Sequence, residues 1–179
     1  MKILAHICCG PCGMAYSAGL ANENITADYL WFNPNIHPFT EYQSRKKGAQ
    51  FFAETSGFDF IVPADSKYAL QPFLAAVWDN LDAKCEKCYT MRLEYTAKHA
   101  AAAGYTAFTT TLLASPYQDF DTICAIGNAA ANAHGIDFFV RDYRTGYRAG
   151  LGAARNAGIY MQKYCGCIFS EEERYSGAK

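Results

Sequence analysis

The stretch KILAHICCGPCG, residues 2–13, decides how the rest of the chain is read. Its first half, Lys2 to Cys8, is a short apolar run broken at Gly10-Pro11, the pattern of a buried strand that leaves through a turn. Its second half crowds Cys8, Cys9 and Cys12 just beyond the strand end.

Working outward, the same alternation of short apolar runs and longer helical text repeats. A helix is expected over residues 14–22, a strand at ADYLWF (27–32), and a loop at NPNIHP (33–38). EYQSRKKGAQFFAETSG reads as a helix stopped by Gly57, and FDFIVPA as a third strand. Weakly helical text over 67–82 precedes a strong helix from Cys85 to Ala103, with Gly104 as its stop. YTAFTTTLLAS (105–115) is β-branched and apolar, a buried strand that exits at Ser115-Pro116. A helix over 119–134, a strand at IDFFVRDY and a helix over 147–157 ended by Gly158 complete the series. Strands alternating with helices give an α/β layered domain with a mainly parallel central sheet. Ligands of such sheets sit beyond the carboxyl ends of the strands, so CCGPC, NPNIHP and SPYQD are expected on one rim.

Length and composition bound the function. The chain has 179 residues, 51% apolar and 18% charged, which fits one globular domain over 1–179 and excludes wholesale disorder. No apolar run approaches the ~20 residues needed to span a bilayer. The apolar N-terminal run is too short for a secretory signal, so the expected location is the cytoplasm, with no membrane partner. A net charge of −1 gives no global footprint for nucleic acid, so any polyanion must meet a local patch.

Eight cysteines in a cytoplasmic chain point to metal or redox chemistry rather than to stapling. They fall as Cys8, Cys9 and Cys12, then Cys85 and Cys88, then Cys165 and Cys167, with Cys124 apart. Cys9-Gly-Pro-Cys12 matches a thioredoxin redox motif, which offers a thiol–disulfide carrier as one reading. Cys85 and Cys88 stand three apart at a helix start, so both sulfurs face one way, and the helix start is expected to favour thiolate. Two thiols from CCGPC plus these two make a four-thiolate set, suited to zinc or to an iron–sulfur cluster. The adjacent Cys8-Cys9 pair makes an awkward zinc knuckle and favours the cluster, while a zinc-stabilised tRNA-binding module is the rival. Cys165-Gly-Cys167 closes only a very small ring, whose strain suits a labile redox pair. Cys124 reads as a packed core thiol.

Other polar candidates are weighed the same way. His6 reads as a satisfied core histidine, His37 as a substrate contact on the rim, and His99 and His134 as surface or capping residues. Asp119 and Asp121 read as N-capping. Tyr117, Tyr143, Tyr147 and Tyr164 are candidates to stack on a base. Arg45-Lys46-Lys47 and the RDYRTGYR run, with Arg141, Arg144 and Arg148, continued by Arg155 and Lys163, read either as solvated faces or as a nucleic-acid contact.

The combination of CCGPC, NPNIHP, CEKCYTMRLEYTA, FTTTLLASPYQ and the terminal YCGCIFSEEER resembles the QueH family of epoxyqueuosine reductases, in order along nearly the whole chain. The resemblance implies a Rossmann-like, nucleotide alpha hydrolase-like fold with its Cys-Gly-Cys segment at 160–174. It implies reduction of epoxyqueuosine to queuosine at the wobble position of a tRNA anticodon stem-loop, fed by an electron donor the sequence does not identify. It also implies a [4Fe-4S] cluster, in some members with a second mononuclear metal ion, iron or zinc, beside it. Carried over by motif, Cys8, Cys9, Cys85 and Cys88 look like cluster ligands. Cys165 and Cys167 look like a redox-active pair, and Cys12 like a ligand of the second metal or a proton donor. His37, Tyr117, Arg144 and Arg148 are the expected substrate contacts.

Overall fold

The computed structural model describes residues 2–177. In chain order the elements are β1 (Lys2–His6), α1 (Gly10–Asn22), β2 (Thr26–Leu30), α2 (Phe39–Thr55), β3 (Phe60–Ile61), α3 (Leu70–Val77) and α4 (Lys84–Ala102). There follow β4 (Ala107–Thr110), a 3-10 turn (Thr111–Ala114), α5 (Phe120–His134), β5 (Asp137–Phe138), a 3-10 turn (Arg144–Gly146), α6 (Tyr147–Asn156) and α7 (Ile168–Tyr175). All strand pairs are parallel, in the order β3-β2-β1-β4-β5. The expected α/β layered domain is therefore present, with β1 at its centre. Strands β1, β2 and β4 are buried along nearly their whole length, which a parallel sheet covered by helices requires.

Four expectations about local structure are corrected. Helix α1 starts at Gly10 rather than at residue 14, because Cys9 caps it: the Cys12 amide donates to Cys9 Sγ at 3.4 Å. Pro11 then occupies the first turn, where its missing N–H costs nothing, so Gly-Pro belongs to the helix and not to a free turn. The strand expected over 105–115 ends at Thr110, whose hydroxyl accepts the Leu112 amide at 3.2 Å and starts a 3-10 turn. The third and fifth strands keep only two residues each, because each pairs with a single neighbour at the sheet edge. The terminal segment carries a helix, α7, that the sequence reading did not assign; Cys167 caps it by accepting the Ser170 amide.

Register places the site. His6 pairs with Leu30 on one side and with Thr110 on the other, so β1, β2 and β4 end level with one another. The order of connection reverses between β1 and β4, the switch point at which sheets of this kind place their ligands, outside the carboxyl ends of the strands. The CCGPC segment leaves the sheet at that point. Because α4 runs back along the sheet to feed β4, its N-terminal turn, with Cys85 and Cys88, lies at the same end.

Gly10 permits this approach. A Cβ there would stand 2.6 Å from the Gly48 carbonyl oxygen of α2 and 2.6 Å from Ile159 Cγ2. Gly10→Ala must push α2 away from the cysteine turn, and a cost of roughly 1–3 kcal/mol is expected from such overpacking. Urea unfolding should show a lower midpoint at unchanged slope; an unchanged midpoint refutes the close approach.

Candidate sulfur-rich redox centre

The Sγ atoms of Cys8, Cys9 and Cys12 all lie within 4.8 Å of one another, and all three residues are buried. Cys8 Sγ is 3.7 Å from Cys9 Sγ and 3.5 Å from Thr111 Oγ1, so the turn after β4 closes the triangle from the other side. Hydrogen bonds from Cys12 and Cys9 hold the Cys8 thiol well below its ordinary range, while the same contacts push Cys12 up and burial pushes Cys9 up. The triangle thus concentrates one negative charge on Cys8. A thioredoxin-type carrier needs an accessible, acidic first thiol. Cys9 is 1% exposed and held protonated, so this geometry does not serve that reading.

Beneath the triangle, His6 completes the rim. Its Nδ1 lies 2.9 Å from Thr110 Oγ1 and its Nε2 3.1 Å from Asn33 Oδ1, the satisfied core histidine expected from the sequence. Burial first, and Arg92 second, bring its pKa down to about 4, so the ring is neutral.

Cys85 and Cys88 stand on the first turn of α4, outside the triangle, with Cys85 exposed and Cys88 buried. Here the expected effect of the helix start is reversed: burial outweighs it, raising Cys85 and pushing Cys88 up to about 11. Cys88 shares a small apolar cluster with Phe73, Val77 and Cys167, which docks the terminal segment against α4. Cys165 Sγ is 3.8 Å from Cys167 Sγ and 2.9 Å from Ser170 Oγ. The hydrogen bond from Cys167 is the main reason the Cys165 thiol comes down to about 5, whereas Cys167 is raised. A reactive thiolate beside a protonated thiol is the state a redox pair needs before it acts.

The strap that carries this pair is fastened from α2. Arg45 donates to the Cys165 carbonyl at 2.9 Å, to the Tyr164 carbonyl at 2.8 Å and to Glu41 at 2.6 Å. The His37 amide donates to the Gly166 carbonyl at 2.7 Å, and Tyr164 donates to the His37 carbonyl at 2.6 Å. Gly166 adopts φ +126°, and a Cβ there would press on Arg45 Nη1 at 3.1 Å, so only glycine fits between the cysteines. Gln162 joins strap to triangle by donating to Cys9 Sγ at 2.9 Å.

Several expected contacts resolve differently. Arg45, read as part of a solvated basic run, is 2% exposed and paired with Glu41. His37 is 1% exposed, lies against Tyr68 and Phe73, and has both ring nitrogens unpartnered; it sits under the strap rather than on an open rim. Among the four tyrosines, Tyr143 is tied to Glu23, Tyr164 to the His37 carbonyl, and Tyr147 is buried. Tyr117 is 81% exposed and meets Tyr147 edge-on, and burial together with the Cys12, Cys9 and Cys8 sulfurs raises the Tyr147 hydroxyl. Tyr117 is therefore the exposed ring beside the triangle. Arg144 is chelated by Asp142 and lies over Phe120, while Arg148 is exposed with no ion-pair partner among the described residues. Asp119 caps α5 through the Thr122 amide at 3.0 Å, and His134 meets Glu94 at 2.9 Å. Cys124 packs partly buried against the main core.

The donor set fits a metal group. The three buried sulfurs of CCGPC converge within 4.8 Å, and the two buried arginines, Arg45 and Arg92, supply positive surroundings that an anionic sulfur centre would balance. The sequence reading missed Arg92 and Gln162, and named Arg45 only as part of a basic run. The spacing of Arg92, four residues after Cys88 and seven after Cys85, already set it on their helix face.

Among known proteins, the family model described as "Epoxyqueuosine reductase QueH" matches residues 3–173. Epoxyqueuosine reductase QueH of Dehalococcoides mccartyi is 36% identical over 97% of this chain and 94% of its own length. The Thermotoga maritima protein of the same name is 33% identical over 96% of this chain and 91% of its own. Among solved structures, a predicted subunit of tRNA methyltransferase from Methanocaldococcus jannaschii superposes with a TM-score of 0.51. It covers 86% of this chain and 76% of that one at 12% identity, a likeness of fold alone. With its motifs, their order and their placement on one rim all accounted for, the chain belongs to the QueH family.

Proposed function

We propose that the protein reduces epoxyqueuosine to queuosine at the wobble position of tRNA, in the cytoplasm. The observation that carries this reading is the buried Cys8-Cys9-Cys12 triangle, with Cys167 packed against Cys88, in a chain of the QueH family. Cys8, Cys9, Cys85 and Cys88 would hold a [4Fe-4S] cluster, with Cys12 free to hold a second iron or zinc ion or to give a proton. When bound, such a group supplies single electrons and a Lewis acid for the epoxide oxygen.

The chain's own residues account for the rest of the balance. Removing the epoxide oxygen leaves an alkene and takes two electrons and two protons, releasing water. Oxidation of Cys165 and Cys167 to a disulfide releases two electrons and two protons, and a reductant of the dithiol class then restores the pair. Tyr117 offers an exposed ring on which a splayed base stacks, and Arg148 offers a cation to the tRNA backbone. Buried His37 keeps its place by holding the strap.

Four outcomes test this reading. Nucleoside analysis of epoxyqueuosine-containing tRNA, incubated anaerobically with reconstituted protein, should show queuosine formed. Cys85→Ala should lose iron and turnover together; full turnover in that variant removes Cys85 from the ligand set. The depressed Cys165 thiol stays ionised from about pH 6 to about pH 8, so its alkylation rate should be nearly flat there in metal-free protein. The raised Cys85 thiol gains thiolate only as pH climbs, so its rate should rise with pH over the same range. Parallel profiles for the two cysteines would refute the assigned roles. Arg148→Glu should weaken tRNA binding and lower the salt slope by about 1. Unchanged affinity and slope place the contact elsewhere.

A further inference from the structure

Arg92 has no partner of the kind a buried arginine ordinarily has. It is 3% exposed, and no carboxylate lies within ion-pair distance of it among the described residues. Its Nε donates to the Cys88 carbonyl at 3.2 Å, one helical turn back, and its guanidinium lies 5.5 Å over the Tyr89 ring. Neither is an anion. Arg45, the other buried arginine of the site, is by contrast matched with Glu41. Taking a guanidinium out of water without a counter-charge is strongly unfavourable, so an anion must belong beside Arg92.

The groups that face it are sulfurs. Arg92 follows Cys88 by one turn on the same face of α4 and is bonded to its carbonyl, and charge on Cys88, Cys8, Tyr89 and Cys165 would favour the guanidinium. One residue comes from each of the three cysteine motifs. His6 also faces Arg92, but it stays neutral there and cannot serve as the counter-charge. The terminal strap brings the third sulfur, and its docking on the Cys88 cluster places the redox pair on the Arg92 side of α4.

We propose that Arg92 is the resident counter-charge of the sulfur centre: a buried guanidinium, matched to no carboxylate, that stabilises negative charge on the sulfurs of CCGPC, CEKC and CGC at once. It is a positioning residue that acts through the sulfurs and touches no substrate. A fixed positive charge favours the reduced, more negative state of a cluster held by these thiolates, so it raises the reduction potential. The same charge favours the Cys165 thiolate, which couples the ease of reducing the centre to the readiness of the dithiol. The cluster part of this inference rests on the preceding functional reading; the charge on the thiols does not.

The test compares anaerobically reconstituted wild-type protein with Arg92→Lys, Arg92→Gln and Arg92→Met, after circular dichroism has checked folding. Iron content and the midpoint potential of the visible and paramagnetic signals are measured for each. At equal iron content, the uncharged variants should shift to a more negative potential, and the lysine variant should stay near wild type. A wild-type potential in the uncharged variants overturns the inference, as does a lysine variant displaced as far as they are. Should neither uncharged variant fold, the lysine variant decides by the same criterion. Wild-type protein that takes up no iron refutes the cluster reading instead. The variants then report through the pH midpoint of Cys165 alkylation, which should move upward without the charge. An unchanged midpoint there overturns the inference.

Discussion

One neutral imidazole ties together the end of the sheet on which everything else is built. The Leu112 amide donates to the Thr110 hydroxyl, which turns its own hydrogen to His6 Nδ1. His6 Nε2 donates to Asn33 Oδ1, and the Asn33 amide returns to the Ile7 carbonyl at 2.9 Å. This chain of bonds leaves each group one role and fixes the tautomer. It links the exits of β1, β2 and β4 to one another before any cysteine is placed. Protonating the ring would turn a donor toward a hydroxyl already committed as donor, so burial in neutral form is a structural requirement.

On that platform the electrostatic design is simple. The site has few carboxylates: Glu41 is fully occupied by Arg45 and Tyr160, which leaves the sulfurs as the anions. Each cysteine group carries one acidified thiol or one apolar anchor, and hydrogen bonds from neighbouring thiols do most of the acidifying. Polarity is thus supplied by the cysteines to one another. Surrounding residues add direction: Thr111 faces Cys8, Gln162 faces Cys9, and Ser170 faces Cys165.

How much of this was legible in the sequence depended on the range of the interaction involved. The alternation of strands with helices and the shared rim followed from local signals, because apolar runs and glycine stops are short-range features. Helix α1 was misplaced by four residues because a cysteine at the cap lies outside the usual serine, threonine, aspartate and asparagine signature. Arg45 looked solvated inside an Arg-Lys-Lys run, although Glu41 four residues earlier marked a paired helix face. His37 looked open because its loop is polar; the strap that covers it arrives from residues 164–166. Tyr143, Tyr147 and Tyr164 were indistinguishable from Tyr117 by composition, and only packing separated the exposed ring from the buried ones.

The fastening of the strap also sets an order of events. Arg45 spends two donors on carbonyls that lie 119 and 120 residues downstream, and Gln162 reaches Cys9 across 153 residues. Until residues 162–166 have been made, the Cys9 turn lacks its cover and a buried guanidinium lacks its acceptors. Contacts of such separation form late, after the sheet they rest on. Closing the centre therefore waits on the 162–166 segment, and until that segment docks the Cys9 turn stands open.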